Sequence, residues 1–252
     1  MSKPEIAVII DTETSGIDIT KDDVIQVAGV LADVNTGKAT TLMLSYCRPL
    51  VPIAADAQAI HGISEETVAY APPSRWALRT LGMLLQEVSE SRQVVLVGHN
   101  SERFDIPLMD RICPEGLFTV YPHIDTYTLA LRMFPDAYKK FENAQEYKPH
   151  KLERLYEWYA GGKAVNAHDA AADCHMAAAV LGMMLQDLGM TLGEAAEYCR
   201  LAKPLTCMPY GKHGGTPWNQ VPKGYLSYAR RNWSDTHKDV WLSIMMAIGE
   251  AA

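Results

Sequence analysis

The sequence predicts an α/β protein, a mixed β-sheet flanked by helices, and three observations carry that prediction. Three β-rich apolar stretches come first, at Ala7–Ile10, Val24–Asp33 and Thr40–Cys47. From Ser74 onward, buried-type strands alternate with amphipathic helices, the pattern of a sheet with crossover connections. The composition, 48% apolar and 21% charged over 252 residues, suits one large core with residues to spare for a small second module.

The first strand is Ala7-Val8-Ile9-Ile10-Asp11-Thr12-Glu13-Thr14-Ser15-Gly16, an apolar run that ends in two acids and a glycine turn. Period two along a strand puts Asp11 and Glu13 on the same side. At roughly 4 Å and an effective dielectric of ~20, such a pair repels by about 4 kcal/mol, so a proton or a cation must sit between them. No Lys or Arg lies between Lys3 and Lys21. Hard oxygen ligands suit Mg²⁺ or Mn²⁺. Taken alone, an Asp-x-Glu pair is better explained by one acid capping a turn and the other facing solvent; the rest of the chain decides otherwise.

The next two stretches form a hairpin around the turn Asn35-Thr36-Gly37-Lys38, so three antiparallel strands open the chain. Ser64 is placed to cap a short helix with Glu65 and Glu66 in its first turn, while Thr67 stands where a capping box needs Glu or Gln. An amphipathic helix is expected over Ser74–Ser89, then a strand over Gln93–Val97 that stops at Gly98-His99-Asn100. Polar residues just beyond such a strand lie at a sheet edge, the usual place for α/β ligand sites, and Asp105 is among them. A further strand is expected at Val120–Ile124, with helices at Thr126–Phe134, Leu152–Tyr159 and Ala170–Leu188.

The entrance of that last helix reads His168-Asp169-Ala170-Ala171-Ala172-Asp173-Cys174-His175. An acid inside a small apolar run is costly if buried unpaired, so Asp173 needs a partner. His168, in the loop or first turn, can swing its imidazole over the site that Asp173 faces. His175 reads as an ordinary side chain on the helix flank.

The five cysteines are odd in number and lack Cys-x-x-Cys spacing, which suggests neither a disulfide framework nor a zinc site and predicts buried thiols. The N-terminal Met-Ser-Lys-Pro-Glu has no apolar signal core, and no apolar stretch reaches membrane-spanning length. The expectation is a cytoplasmic protein without a membrane partner. The net charge of −7 is uneven: residues 200–252 hold seven Lys or Arg against three acids. An acidic body with a basic tail is compatible with a polyanionic partner once cations cover the acids.

Asp11, Glu13, Asp105, His168 and Asp173, with His-x-x-x-x-Asp closing the set, resemble the three-motif signature of the 3′–5′ exonucleases of the DEDD superfamily, in its histidine-bearing, epsilon-like branch. The resemblance covers roughly residues 5–190. Tyr46-Cys47-Arg48-Pro49, Ile60-His61-Gly62-Ile63 and Ile124-Asp125-Thr126 are similar to family segments in the right order. Met208-Pro209-Tyr210-Gly211-Lys212-His213-Gly214-Gly215, followed by Gly224-Tyr225-Leu226, resembles a module of the exonuclease X branch. The departure is the second motif, where Asp105 follows Asn100 by five positions rather than four, leaving open whether Ser101, Glu102 or Arg103 faces the substrate.

The resemblance implies a ribonuclease-H-like mixed five-stranded sheet flanked by helices, plus a small C-terminal helical module. It implies hydrolysis of DNA from the 3′ end, with two divalent metal ions, Mg²⁺ or Mn²⁺, held by Asp11, Glu13, Asp105 and Asp173, and with His168 as general base. Thr12 and Thr14 are then expected beside the terminal nucleotide, Asp56 and His61 near the 3′ end, and Asn100 and Phe104 against the substrate. RNA is the alternative substrate, distinguished by a 2′-hydroxyl contact. A non-catalytic binding module has no reason to keep four clustered acids.

The organisation expected is an exonuclease domain over 1–190, a helix and linker over 191–206, and a small basic module over 207–252. In that module Tyr210-Gly211-Lys212-His213-Gly214-Gly215-Thr216 lacks the spacing of a nucleotide-triphosphate loop. Two amphipathic helices, Tyr225–Arg231 and Val240–Ile248, are expected there, with Lys212, Arg230 and Arg231 as candidate phosphate contacts. On this reading, removing the tail near residue 206 spares cleavage of very short substrates.

Overall fold

In the computed structural model, which describes residues 3–140, 148–163 and 168–250, β1 (Glu5–Thr14) is the central strand. It pairs antiparallel with β2 (Val24–Asp33), which pairs antiparallel with β3 (Lys38–Tyr46). On its other side β1 runs parallel to β4 (Gln93–Gly98), and β4 runs parallel to β5 (His123–Asp125). The order β3-β2-β1-β4-β5 is the expected mixed five-stranded sheet.

Both faces of the sheet are covered, which is why β1 is an unbroken apolar run rather than an alternating one. Its even residues, Ile6, Val8 and Ile10, pack with residues of α3 (Ser74–Ser91) and α4 (Asp105–Ile112). Its odd residues, Ala7 and Ile9, pack on the opposite face. There they meet α5 (Thr126–Met133), α7 (Leu152–Ala160), α8 (Ala170–Leu188) and α9 (Leu192–Arg200). Among the described residues the body also has three short helices, α1 (Ala55–His61), α2 (Glu65–Val68) and, between α5 and α7, α6 (Ala137–Lys140). Ser64 caps α2 by accepting the Thr67 amide, as expected.

The fifth strand is shorter and later than Val120–Ile124. Val120 is 72% exposed and lies in a turn. Pro122 has no amide to give a ladder, though its carbonyl accepts the Leu96 amide, so strand pairing starts at His123. It stops at Asp125, whose carboxylate caps α5 through the Tyr127 amide. All five cysteines are buried, as expected. Among the described residues no single helix is long and apolar enough to cross a membrane.

The C-terminal segment adds α10 (Lys223–Asn232) and α11 (Lys238–Ala247). It is clamped to the body rather than tethered. Leu131 of α5 joins Leu205, Ala229, Val240 and Ile244 in one apolar cluster. Beside it a buried ion pair joins Arg132 to Asp239, Nε to Oδ2 at 2.6 Å and Nη2 to Oδ1 at 2.9 Å. The same guanidinium donates to the Leu201 carbonyl at 2.8 Å, and Asp239 also accepts the Lys203 amide at 2.8 Å. Removing one partner of such a pair costs roughly 3–5 kcal/mol, so cutting the chain near residue 206 injures the body as well.

Candidate functional site

The facing of β1 places the first two acids. Asp11 and Glu13 continue the odd register of Ala7 and Ile9, so they emerge on the face that α8 covers, just where the apolar packing ends. Opposite Glu13 on β2 sits buried Gln26, whose side chain accepts the Ala170 amide at 2.9 Å and approaches Asp169 Oδ2 at 3.3 Å. That pins the N-terminus of α8 to the sheet, with Asp169 as its cap and Asp173 in its first turn. The positive end of the helix thus faces the acids.

Asp105 arrives from the other direction. The strand β4 is level with Ile9 at Val97 and turns away at Gly98, where a Cβ would collide with Ser101 Oγ at 2.3 Å. Asn100 follows at φ 61°. Its amide and that of Glu102 both donate to buried Asp125, at 2.8 and 3.0 Å. Asp105 then opens α4, and its Oδ1 accepts the Thr12 hydroxyl at 2.6 Å. The three residues left open by the longer spacing find separate partners. Ser101 lies 3.0 Å from His123 Nε2, Glu102 pairs with Lys238 at 2.6 Å, and Arg103 donates to the Asp235 carbonyl.

Four carboxyl groups therefore converge from three segments, and among the described residues no Lys or Arg pairs with any of them. The cost appears in their protonation. Burial, followed by the charges of Asp105 and Asp173, holds Asp11 well above the usual carboxylate range. Burial and the charge of Asp173 push Glu13 up to about 8. Burial raises Asp105 to about 6 against the opposing pull of the Thr12 hydrogen bond. Burial raises Asp173 to about 7, partly offset by the His168 amide it accepts. Among the described residues, Asp173 Oδ1 is buried with no hydrogen-bond partner.

His168 lies beside these acids at φ 70°, with its side chain 40% exposed. One ligand atom from each of Glu13, His168 and Asp173 falls within 4.8 Å of the others, a set able to hold a metal ion. Its Nε2 is 3.8 Å from Glu153 Oε1 on α7. His61, at the end of α1, is close enough for its protonation to be opposed by His168, burial being the larger cause of its lowered pKa. Its Nδ1 accepts the Ile63 amide, and its Nε2 is buried beside the Thr14 backbone.

The remaining candidates are spread more widely. Buried Thr14 donates its hydroxyl to the Gly16 carbonyl at 2.7 Å, beside Asp11 and Glu13 in sequence. Phe104 immediately precedes α4. Asp56 is exposed in the first turn of α1 and accepts the Ala57 amide. Lys212 is exposed on the glycine-rich turn. Arg230 pairs with Glu250 at 2.7 Å, and with Arg231 it borders a separate hollow between α10 and the chain end.

Sequence reasoning missed Gln26, Glu153 and Asp169. Asp169 carried a signal, an N-cap residue before an alanine-rich helix. Gln26 and Glu153 carried none, because their roles depend on tertiary placement.

A family model described as exonuclease, RNase T, matches residues 8–181. Exodeoxyribonuclease 10 of Escherichia coli K12 is 28% identical over 239 residues, spanning 94% of this chain and 96% of that protein. Exonuclease X, solved in complex with 5′-overhanging duplex DNA, superposes with a TM-score of 0.52 at 26% identity, covering 77% of this chain and 99% of the other. The zinc-bound E. coli ExoI complex with single-stranded DNA shares the fold, with a TM-score of 0.58 at 20% identity over 74% of this chain and 42% of that one.

Proposed function

We infer the reaction from a membership: the chain belongs to the RNase T exonuclease family, and we propose that it hydrolyses DNA from the 3′ end to release 5′-mononucleotides with the help of divalent cations. The observation that carries this reading is the convergence of Asp11, Glu13, Asp105 and Asp173, which among the described residues pair with no Lys or Arg and leave one buried oxygen of Asp173 without a partner. A divalent cation fits these four acids in charge and in its preference for oxygen donors. The four acids would hold two such ions, Mg²⁺ or Mn²⁺. Bound there, they supply charge neutralisation at the phosphate, an activated water and stabilisation of the leaving 3′ oxygen.

The side chains do the rest. His168 takes the proton of the attacking water; its half-open ring can exchange that proton with solvent, and the Glu153 carboxylate 3.8 Å away stabilises the imidazolium that forms. The His168 amide on Asp173 couples the base to a ligand, so neither moves alone. Thr12 fixes one oxygen of Asp105 and leaves the other for the site. His61, whose Nε2 lies beside the Thr14 backbone, is suited to sit near the terminal nucleotide, and Thr12 and Thr14 to line its path.

The test is a panel of 5′-labelled DNA and RNA strands incubated with Mg²⁺, with Mn²⁺ or with a chelator. Metal-dependent shortening of DNA from the 3′ end, faster than that of RNA, is expected. Shortening of RNA alone would transfer the reading to ribonucleic acid, and chelator-resistant or absent cleavage would contradict it.

A further inference from the structure

Between the catalytic body and the C-terminal module lies a cleft of about 520 Å³, distinct from the acid cluster. Its walls carry four aromatic rings, Tyr127 and Tyr138 from the body and Tyr210 and Trp233 from the module. Its rim carries three cations, Arg103, Lys148 and Lys151, against one acid, Asp235. Among the described residues none of those cations is paired with a carboxylate. Arg103 is oriented instead by the Asp235 carbonyl, which fixes its geometry and leaves its charge uncompensated.

The cleft is tied to the acids by the chain itself. Arg103 is two residues from Asp105, at most ~7 Å of backbone, and Lys151 immediately precedes α7, the helix that carries Glu153 to His168. Tyr127 is held by edge contacts to His99, His150 and His237, so its ring is a preset platform. Aromatic faces beside unpaired cations are the combination that single-stranded nucleic acid uses, bases stacking while phosphates meet charge.

Resting on the exonuclease reading, we propose that this cleft seats an unpaired nucleotide of the substrate strand, a few positions upstream of the scissile phosphodiester. Its base lies against the aromatic walls and the two phosphates that flank it, 5′ and 3′, lie near Arg103, Lys148 and Lys151. The module thereby measures the unpaired length that can reach the acids. The expected grip of Lys212, Arg230 and Arg231 is the competing location.

The test is binding of a fluorescein-labelled oligothymidylate against salt, with Ca²⁺ replacing the catalytic metal so that no turnover is required. Lys148→Gln with Lys151→Gln is expected to flatten the slope of log affinity against log salt by about 1.4, two phosphates at ~0.7 each. Lys148→Arg with Lys151→Arg keeps the slope, which excludes misfolding as the cause. Arg230→Gln with Arg231→Gln leaves it unchanged. An unchanged slope in the Gln pair overturns the proposal, and so does a slope lost only in the Arg230/Arg231 pair. Thymidine 5′-monophosphate as competitor separates the sources: if the Gln pair loses competition by the free mononucleotide but keeps the strand slope, the cleft is a product site and the proposal fails. A wild-type protein that shows the expected slopes yet never shortens the strand refutes the exonuclease reading alone.

Discussion

Asp173 has one oxygen on the His168 amide and the other buried with no partner among the described residues, so its charged form is costly without a cation beside it. Asp11→Asn or Asp173→Asn is therefore expected to abolish hydrolysis while leaving the metal-free fold as stable as wild type or more so, because each relieves mutual repulsion. Turnover assays and thermal melts at pH 8 check the two halves, and wild-type turnover in either variant contradicts the assignment. His168→Ala should lower the rate by roughly 10²–10⁴-fold with Mn²⁺ affinity nearly kept. Parallel loss of Mn²⁺ affinity would make His168 a ligand, a role its closeness to Glu13 and Asp173 also permits. Asp11 and Glu13 were legible in the sequence because strand periodicity alone fixes their common side. Glu153 was not, since its approach to His168 depends on how α7 packs.

At the scale of elements, the longer second motif acquires a physical reason. Glu102 and Arg103, with room gained from the extra position, turn to the module while Asp125 holds the loop from within. Lys238 and Glu102 form a half-exposed pair worth no more than about 1 kcal/mol in stability. Its value lies in positioning the loop that delivers Asp105. Lys238→Met is expected to reduce turnover by up to ~10²-fold at a melting temperature within a few degrees of wild type. A double-mutant cycle with Glu102→Gln checks that the two act as one, and additive losses would contradict the coupling. The strands and long helices were readable from periodicity and capping residues. The fifth strand was misplaced because apolar Val120 looked like a strand start, and only Pro122 and the register with β4 show where pairing begins. The docking of the tail was invisible, since nothing in the sequence pairs Arg132 with Asp239.

For the molecule as a whole, the acid cluster makes stability depend on pH in a direction opposite to ordinary salt-bridged carboxylates. Glu13, Asp173 and Asp105 titrate at about 8, 7 and 6 when folded, against ordinary values of 4.5, 3.8 and 3.8. The folded state therefore holds more protons than the unfolded chain between about pH 4 and 8, and the metal-free protein loses stability as pH rises through that window. Chemical denaturation across it should show the decline, and Glu13→Gln should flatten it; stability rising with pH in proportion to these groups would contradict the cluster. The measurement that bears most directly on the central claim is calorimetric titration of Mn²⁺ at several pH values, in buffers of different ionisation enthalpy, on wild type and Asp173→Asn. The account predicts binding that tightens from pH 6 to 8, releases protons as the acids surrender them, and is lost in the variant. Binding that is independent of pH, or equal in both proteins, would show that the four acids do not form the metal site.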